Sequence, residues 1–329
     1  MRLCLRTFVA ALSMVIPAAG FAATCTTQAA MTPEDRGTLA SIGEQMSDAV
    51  LRQDLSALQS VLLPAVSGQW DGIRGAVQDA APLVKGGKVQ LRNIYLMDAA
   101  SLSAPSDTQF FCSNTTGSMT VTITMHALPP GKYALILSDA AGAPLAGQMG
   151  FVLVWDTTGT SGWKLGGFSA RQGAFNGHDA VWYWTRAREL AQGKLPWAAF
   201  YTYETARYLE LPVDFLSSPN LDKLGQEEAQ IKGRPTADTF PYSVTSGDRT
   251  WKIDGVRLDA SLHEADLGVS YESTGSTDPA VLRTEAITVL GALLKAQPGL
   301  RENFHGMWAY ASTNGKVTPV MELPMAQIP

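Results

Sequence analysis

Hydrophobic and polar positions change period several times along this chain, and each change marks an element. Leu39, Ile42, Met46 and Val50 recur at helical spacing, with Leu55, Leu58 and Leu62 following a turn later. Thr32 stands where it would cap this helix and Pro33 at its first position, where a missing N–H costs nothing. Pro64 stops the run, and Trp70, Ile73, Val77 and Leu83 predict a weaker helix over 67–84. The period then drops to two. "KVQLRNIYLM" (88–97) and "SMTVTITMH" (118–126) alternate as half-buried strands, and "YALILS", "GQMGFVLVWD" (147–156) and "WKLGGFSAR" (163–171) continue the series. Helical spacing returns over 179–192 and 196–211, with Gly193 to Pro196 turning the chain and Ala187, Ala199 and Ala206 letting the pair approach closely. Ser218 and Pro219 open a third helix. Beyond "GRPTAD" (233–238), "WKIDGVRLDASL" and "ADLGVSYES" read as strands. Asp278 then caps a helix, and "GMWAYAS" with "KVTPVMELPM" forms a hairpin about Asn314-Gly315.

These elements predict an α+β chain in four segments: a leader over 1–22, a helix-then-sheet domain over 23–172, a helical hairpin with a third helix over 173–236, and a small ββαββ domain over 237–329. The C-terminal domain is expected to carry a single helix on one face of an antiparallel sheet. The order of the first domain, closed by "VLVWDTTGTSGWKLGGF", resembles the NTF2-like (cystatin-like) fold over roughly residues 30–172. That resemblance implies a curved antiparallel sheet wrapped over helices as a cone. Enzymes of that family place Asp, His or Tyr on inward strand positions. Here those positions read Val, Leu, Met, Ile and Phe, with Tyr95 and Tyr133 the only polar-tipped ones. The helical pair resembles a single tetratricopeptide-type (TPR-like) hairpin, which needs support from elsewhere in the chain because such arrays take about three repeats to be stable. "GHDAVWYWTRAREL", "ARYLELPVDFLSSPNL" and the ending "FHGMWAYASTNGKVTPVMELPMAQIP" are similar to stretches of a family of exported bacterial proteins. That similarity implies a shared architecture and brings no catalytic residues with it.

The first residues change the picture of where the protein works. Arg2 and Arg6, the apolar run "FVAALSMVIP" and the small residues "AAGFAA" form a secretory signal pattern, with cleavage expected after Ala22. The apolar run is too short to span hydrocarbon, so a periplasmic or secreted protein without a transmembrane segment is expected. Lipidation at Cys25 is disfavoured, since Thr24 is a poor neighbour and the usual upstream Leu is missing. Cys4 leaves with the leader, and the remaining Cys25 and Cys112 are expected to form a disulfide in an oxidising compartment. Loss of Arg2 and Arg6 takes the formal net charge from -5 to -7, and no Lys/Arg cluster interrupts it, which excludes a nucleic-acid-binding balance.

Candidate chemistry is sparse. The sequence carries no G-x-S-x-G elbow, P-loop, G-x-G-x-x-G or H-E-x-x-H. No catalytic residue, metal set or cofactor is assigned. Four histidines are present. His126 is read as solvated and His305 as a structural hydrogen bonder. His263 lies in "LHEAD", a polar turn that with Glu264 and Asp266 has the composition of a cation-binding loop. His178, Trp182, Tyr183 and Arg188 form the candidate binding set, at the mouth of a groove between domains. The competing reading of this aromatic cluster is domain packing, with Trp184 facing the second helix of the hairpin and Trp182 and Tyr183 facing the sheet domain. The expected function is a non-enzymatic interaction or ligand-binding protein of the cell envelope, taking a small apolar ligand or an envelope protein. The alternative is an enzyme on a small apolar substrate in the NTF2-like cavity, with Tyr95, Tyr133 or His178 as general acid or base.

Overall fold

A computed structural model describes residues 23–158, 161–273, 275–276, 278–313 and 315–329. The expected leader, 1–22, lies outside the described residues, as do Gly159 and Thr160 of the Gly-rich hairpin loop and Asn314 of the last hairpin. The chain is mixed α+β, as its periodicity predicts.

Strand β1 (Thr24–Thr27) precedes helices α1 (Pro33–Leu51), α2 (Leu55–Ser60), α3 (Trp70–Asp79) and α4 (Ala81–Val84). Six strands follow: β2 (Lys88–Asp98), β3 (Ser106–Ser113), β4 (Thr120–Leu128), β5 (Lys132–Ala141), β6 (Gln148–Asp156) and β7 (Gly162–Arg171). Thr32 caps α1 by accepting from the Asp35 N–H, with Pro33 in its first turn, as the sequence predicts.

The strands expected to make one curved sheet are divided between two. β1, β2, β5, β6 and β7 form an antiparallel sheet in that order, while β3 and β4 belong to another. β2 pairs directly with β5, from Lys88↔Ala141 to Asp98↔Lys132, and β1 and β6 take their other sides, so the intervening β3–β4 hairpin has no place beside either strand. That hairpin folds over the sheet instead. Phe110, Cys112 and Ile123 pack on Met97, Leu135 and Leu137. On the opposite face, Leu39, Met46 and Val50 of α1 and Val77 of α3 pack on Ile136 and Phe151. Burial on both faces explains why Tyr133 to Leu137 is a continuous apolar run with no alternation. Tyr95 and Tyr133 therefore lie between the two sheets, not on the face the helices cover. The Tyr133 hydroxyl donates to the Pro129 carbonyl at 2.7 Å, and burial raises the pKa of both phenols.

Cys25 and Cys112 form the expected disulfide, with Cα atoms 5.0 Å apart. It ties β1 of the larger sheet to β3 of the smaller one.

A two-strand ribbon, β8 (Ala174–Phe175) and β9 (His178–Asp179), leads into helices α5 (Ala180–Gln192) and α6 (Pro196–Glu210). Strand β10 (Leu216–Ser217) then returns to the smaller sheet, pairing with β4, before helix α7 (Pro219–Ala229). Gly150 makes that return possible, because a Cβ there would come within 2.5 Å of Val213. The remaining chain forms β11 (Tyr242–Ser246), β12 (Arg249–Asp259), β13 (Asp266–Glu272), α8 (Pro279–Ala296), α9 (Leu300–Asn303), β14 (Gly306–Thr313) and β15 (Lys316–Pro324).

Two features of this last sheet correct the ββαββ expectation. A third strand, β11, precedes the two predicted ones. β13 and β14 pair in parallel, Leu267 opposite Met307, because the chain crosses between them through α8. The Asp278 cap and Pro279 start of α8 are as expected. One buried core spans this sheet, α8 and the α5–α6 hairpin, including Tyr183, Tyr201, Ile253, Leu290 and Met307. The hairpin thus has the support a lone helical pair requires.

Candidate functional site

The Phe175-Asn176-Gly177-His178 turn positions the start of the site. Asn176 and Gly177 both have positive φ, 51° and 76°, and link paired strands in which Phe175 faces His178. Asn-Gly supplies such a two-residue hairpin cheaply, because both central positions need left-handed backbone. Asp179 follows and caps α5, accepting from the Trp182 N–H at 2.9 Å. His178 therefore stands one turn below Trp182, and their rings stack at 3.9 Å between centroids and 11° between planes. Tyr183 points inward, edge-on to Phe175 at 6.2 Å and to Trp182 at 4.9 Å. Burial, with help from the Glu264 charge, pushes its phenol up to about 12. Trp182 remains 42% exposed beside Val181 at 64%.

These positions revise the expected orientation of the three aromatics. Tyr183 is the one in the core, and Trp182 faces solvent. Trp184 reaches α7, where its Nε1 donates to Glu227 Oε2 at 2.8 Å. His178, Trp182 and Tyr183 do come together. They line a cleft of about 420 Å³ whose far side is Ala265, Phe304 and His305.

Arg188 does not share that cleft. It makes a two-pronged contact with Glu227, Nε to Oε2 at 2.7 Å and Nη2 to Oε1 at 2.9 Å, and lies over the Trp184 ring at 4.7 Å. The Arg188 hydrogen bonds hold the Glu227 carboxyl below its ordinary pKa. Arg188 also lines a separate groove of about 730 Å³ with Tyr203, Lys194 and Lys232, between the hairpin and the end of α7. Its main partner is Glu227, so its first role is to pin α7 to α5.

His305 is the residue that sequence reasoning placed outside the site. Its backbone is held on both sides, donating to the Ala265 carbonyl and accepting from the Met325 N–H, each at 2.9 Å. Its Nδ1 lies 2.9 Å from Asp266 Oδ1. The Asp266 side chain is fully buried, whereas His305 is 37% exposed toward the cleft. Glu322 on β15 completes a cluster whose ligand-type atoms lie within 4.8 Å of one another. Burial raises the Asp266 and Glu322 carboxyl pKa values, each further raised by a neighbouring carboxylate. Burial opposes a charged His305 ring, but Asp266, Glu264 and Glu322 outweigh it and hold the imidazole pKa above its ordinary value. His263, the histidine nearest in sequence, turns away, with Nδ1 3.3 Å from Gln172 Oε1.

Fold and site together define an α+β protein with a double-sheet N-terminal layer, an aromatic-rich helical hairpin and a crossover sheet carrying a carboxylate–histidine cluster. No known protein-family description, curated protein or solved structure matches this chain. Among the described residues, no helix is long and apolar enough to cross a membrane.

Proposed function

We propose that this chain is an exported, non-enzymatic binding protein of the cell envelope, and that the cleft opened by α5 takes a small ligand with a flat apolar portion. The observation that carries this reading is the His178–Trp182 stack. It forms a planar wall of the cleft that stays in solvent beside the exposed Val181. An aromatic face left accessible at a concave site is available to a ligand ring or hydrocarbon, at a gain of about 0.5–1.5 kcal/mol beyond area burial. Export is supported by the charge–apolar–small pattern of the first residues and by the Cys25–Cys112 bond, which belongs to oxidising compartments.

Tyr95 and Tyr133 lie enclosed between two sheets, which leaves His178 as the only one of the three proposed acid–base groups that lines the cleft. The test is native mass spectrometry of the protein recovered from an exporting host. A non-covalent mass excess that vanishes on unfolding, and is lost in Trp182→Ala, is expected. A bare wild-type mass, or an excess that Trp182→Ala retains, removes the proposal.

A further inference from the structure

We infer that Asp266, His305 and Glu322 form a binding site for a divalent cation of the zinc class, set behind the cleft wall that His305 lines. This inference goes beyond the ligand reading and stands without it. The three residues come from the adjacent strand ends of β13, β14 and β15, which pair with one another. Asp266 begins β13, His305 directly precedes β14, and Glu322 pairs with Trp308 across β14–β15. Their ligand-type atoms converge within 4.8 Å.

Two observations ask for a cation there. The buried oxygens Asp266 Oδ2 and Glu322 Oε1 have no hydrogen-bond partner among the described residues, and neither does Glu264 Oε2. Asp266 is fully buried, and a buried carboxylate oxygen with no donor is costly unless something positive reaches it. In addition, Gly306 lies directly under the carboxylates. A Cβ there would stand 2.6 Å from Glu322 Oε1 and 3.1 Å from Asp266 Oδ1. The bare Cα is what lets the two acids approach.

The geometry suits the same conclusion. His305 Nδ1 and Asp266 Oδ1 are 2.9 Å apart. Adjacent ligands on a cation with bonds of about 2.1 Å lie roughly 3.0–3.4 Å from each other, so this hydrogen-bonded pair opens by a few tenths of an ångström to admit one. The cation takes the place of the proton shared by this pair and releases it. One imidazole nitrogen with carboxylate oxygens favours zinc or manganese over magnesium, which prefers oxygen and its own waters. Three protein ligands leave a coordination position free for water or a ligand atom.

Isothermal titration of ZnCl₂ into the full exported chain, stripped beforehand with chelator, tests this. One saturable site per chain is expected, with zinc raising the melting temperature by mass action. His305→Ala and Glu322→Gln should each weaken binding at least tenfold. His126→Ala, at an exposed surface pair with Asp107, should not. Trp182→Ala should keep the zinc site, which separates this inference from the ligand reading. Glu322→Gln preserves side-chain shape, so it decides the matter if His305→Ala fails to fold. Absence of saturable zinc binding, or binding unchanged in Glu322→Gln, overturns the inference, as does binding that follows His126.

Discussion

The two halves of this molecule solve burial differently. In the N-terminal half, a sheet is covered by helices on one face and a second sheet on the other, and the interior is mainly aliphatic, with Asp156 its one carboxylate among the described buried residues. A polar pair buried there, Ser47 and Ser138, is self-satisfying at 2.7 Å. The C-terminal half has an aromatic-rich core and encloses carboxylates: Asp259, Asp266, Glu228 and Glu285. An apolar interior stabilises without committing to any chemistry. Buried carboxylates cost free energy unless paired, so they persist where another requirement holds them. The contrast places the chemically informative residues in the second half, although the first half carries the disulfide.

The largest test of that contrast is removal of the disulfide. Replacing Cys25 and Cys112 with Ser opens a loop of separation 87 and should destabilise by about 4–5 kcal/mol on loop-closure entropy. Urea unfolding measures the loss. Hydrogen exchange should show protection falling in β1, β3 and β4 while β12–β14 keep theirs. Equal loss in both halves would break the comparison. The reciprocal change is Phe175→Ala. Its ring is fully buried between Tyr183 and Tyr208, and the truncation should cost about 3–5 kcal/mol. Here exchange should rise in α5, α6 and the facing sheet and leave β3–β4 unchanged.

How much of the fold is legible in the sequence depends on how local the cause is. The caps at Thr32, Ser218 and Asp278, each followed by proline, are legible because capping is settled within four residues. The disulfide follows from cysteine count and the expected compartment. The division into two sheets is not legible as alternation, yet Tyr133 to Leu137 carries a sign of it, since a run with no polar partner is buried on both faces. β11 escapes because "YSVTS" is short, polar and at a sheet edge. The parallel β13–β14 pair has a signal in the succession of a strand, an eighteen-residue helix and a strand. The Asn176-Gly177 hairpin hides because the strands it joins have two residues each. His178, Trp182 and Tyr183 are legible as a group because they lie on one turn of chain. Asp266, His305 and Glu322 are not. They meet only through strand pairing, and His305 is 39 residues from Asp266.

The smallest expected effect probes the carboxylates of the second half away from the cleft. Glu204 on α6 is pushed up to about 7 by burial first, then by its hydrogen bond and charge contact with Glu228. Arg207 opposes this only partly. Its Nε is 3.1 Å from Glu204 Oε1 but not aligned as a hydrogen bond, and its Nη2 is given to Glu228 Oε2 at 2.5 Å. Arg234 also leans on Glu228, at 3.7 Å, and the Tyr201 phenol faces the Glu204 charge. Because the folded pKa lies above the unfolded 4.5, the folded chain holds this proton more tightly. The stabilisation is full below about pH 4.5 and is lost as pH rises through about 7. With the side chain 36% exposed, solvent screening reduces the contribution to about 1–2 kcal/mol. Melting temperatures measured from pH 5 to 8 should therefore fall more steeply in the wild type than in Glu204→Gln, which cannot titrate. Parallel profiles would mean that Arg207 already neutralises Glu204, and the second half would then bury its charges as fully paired as the first half buries its serines.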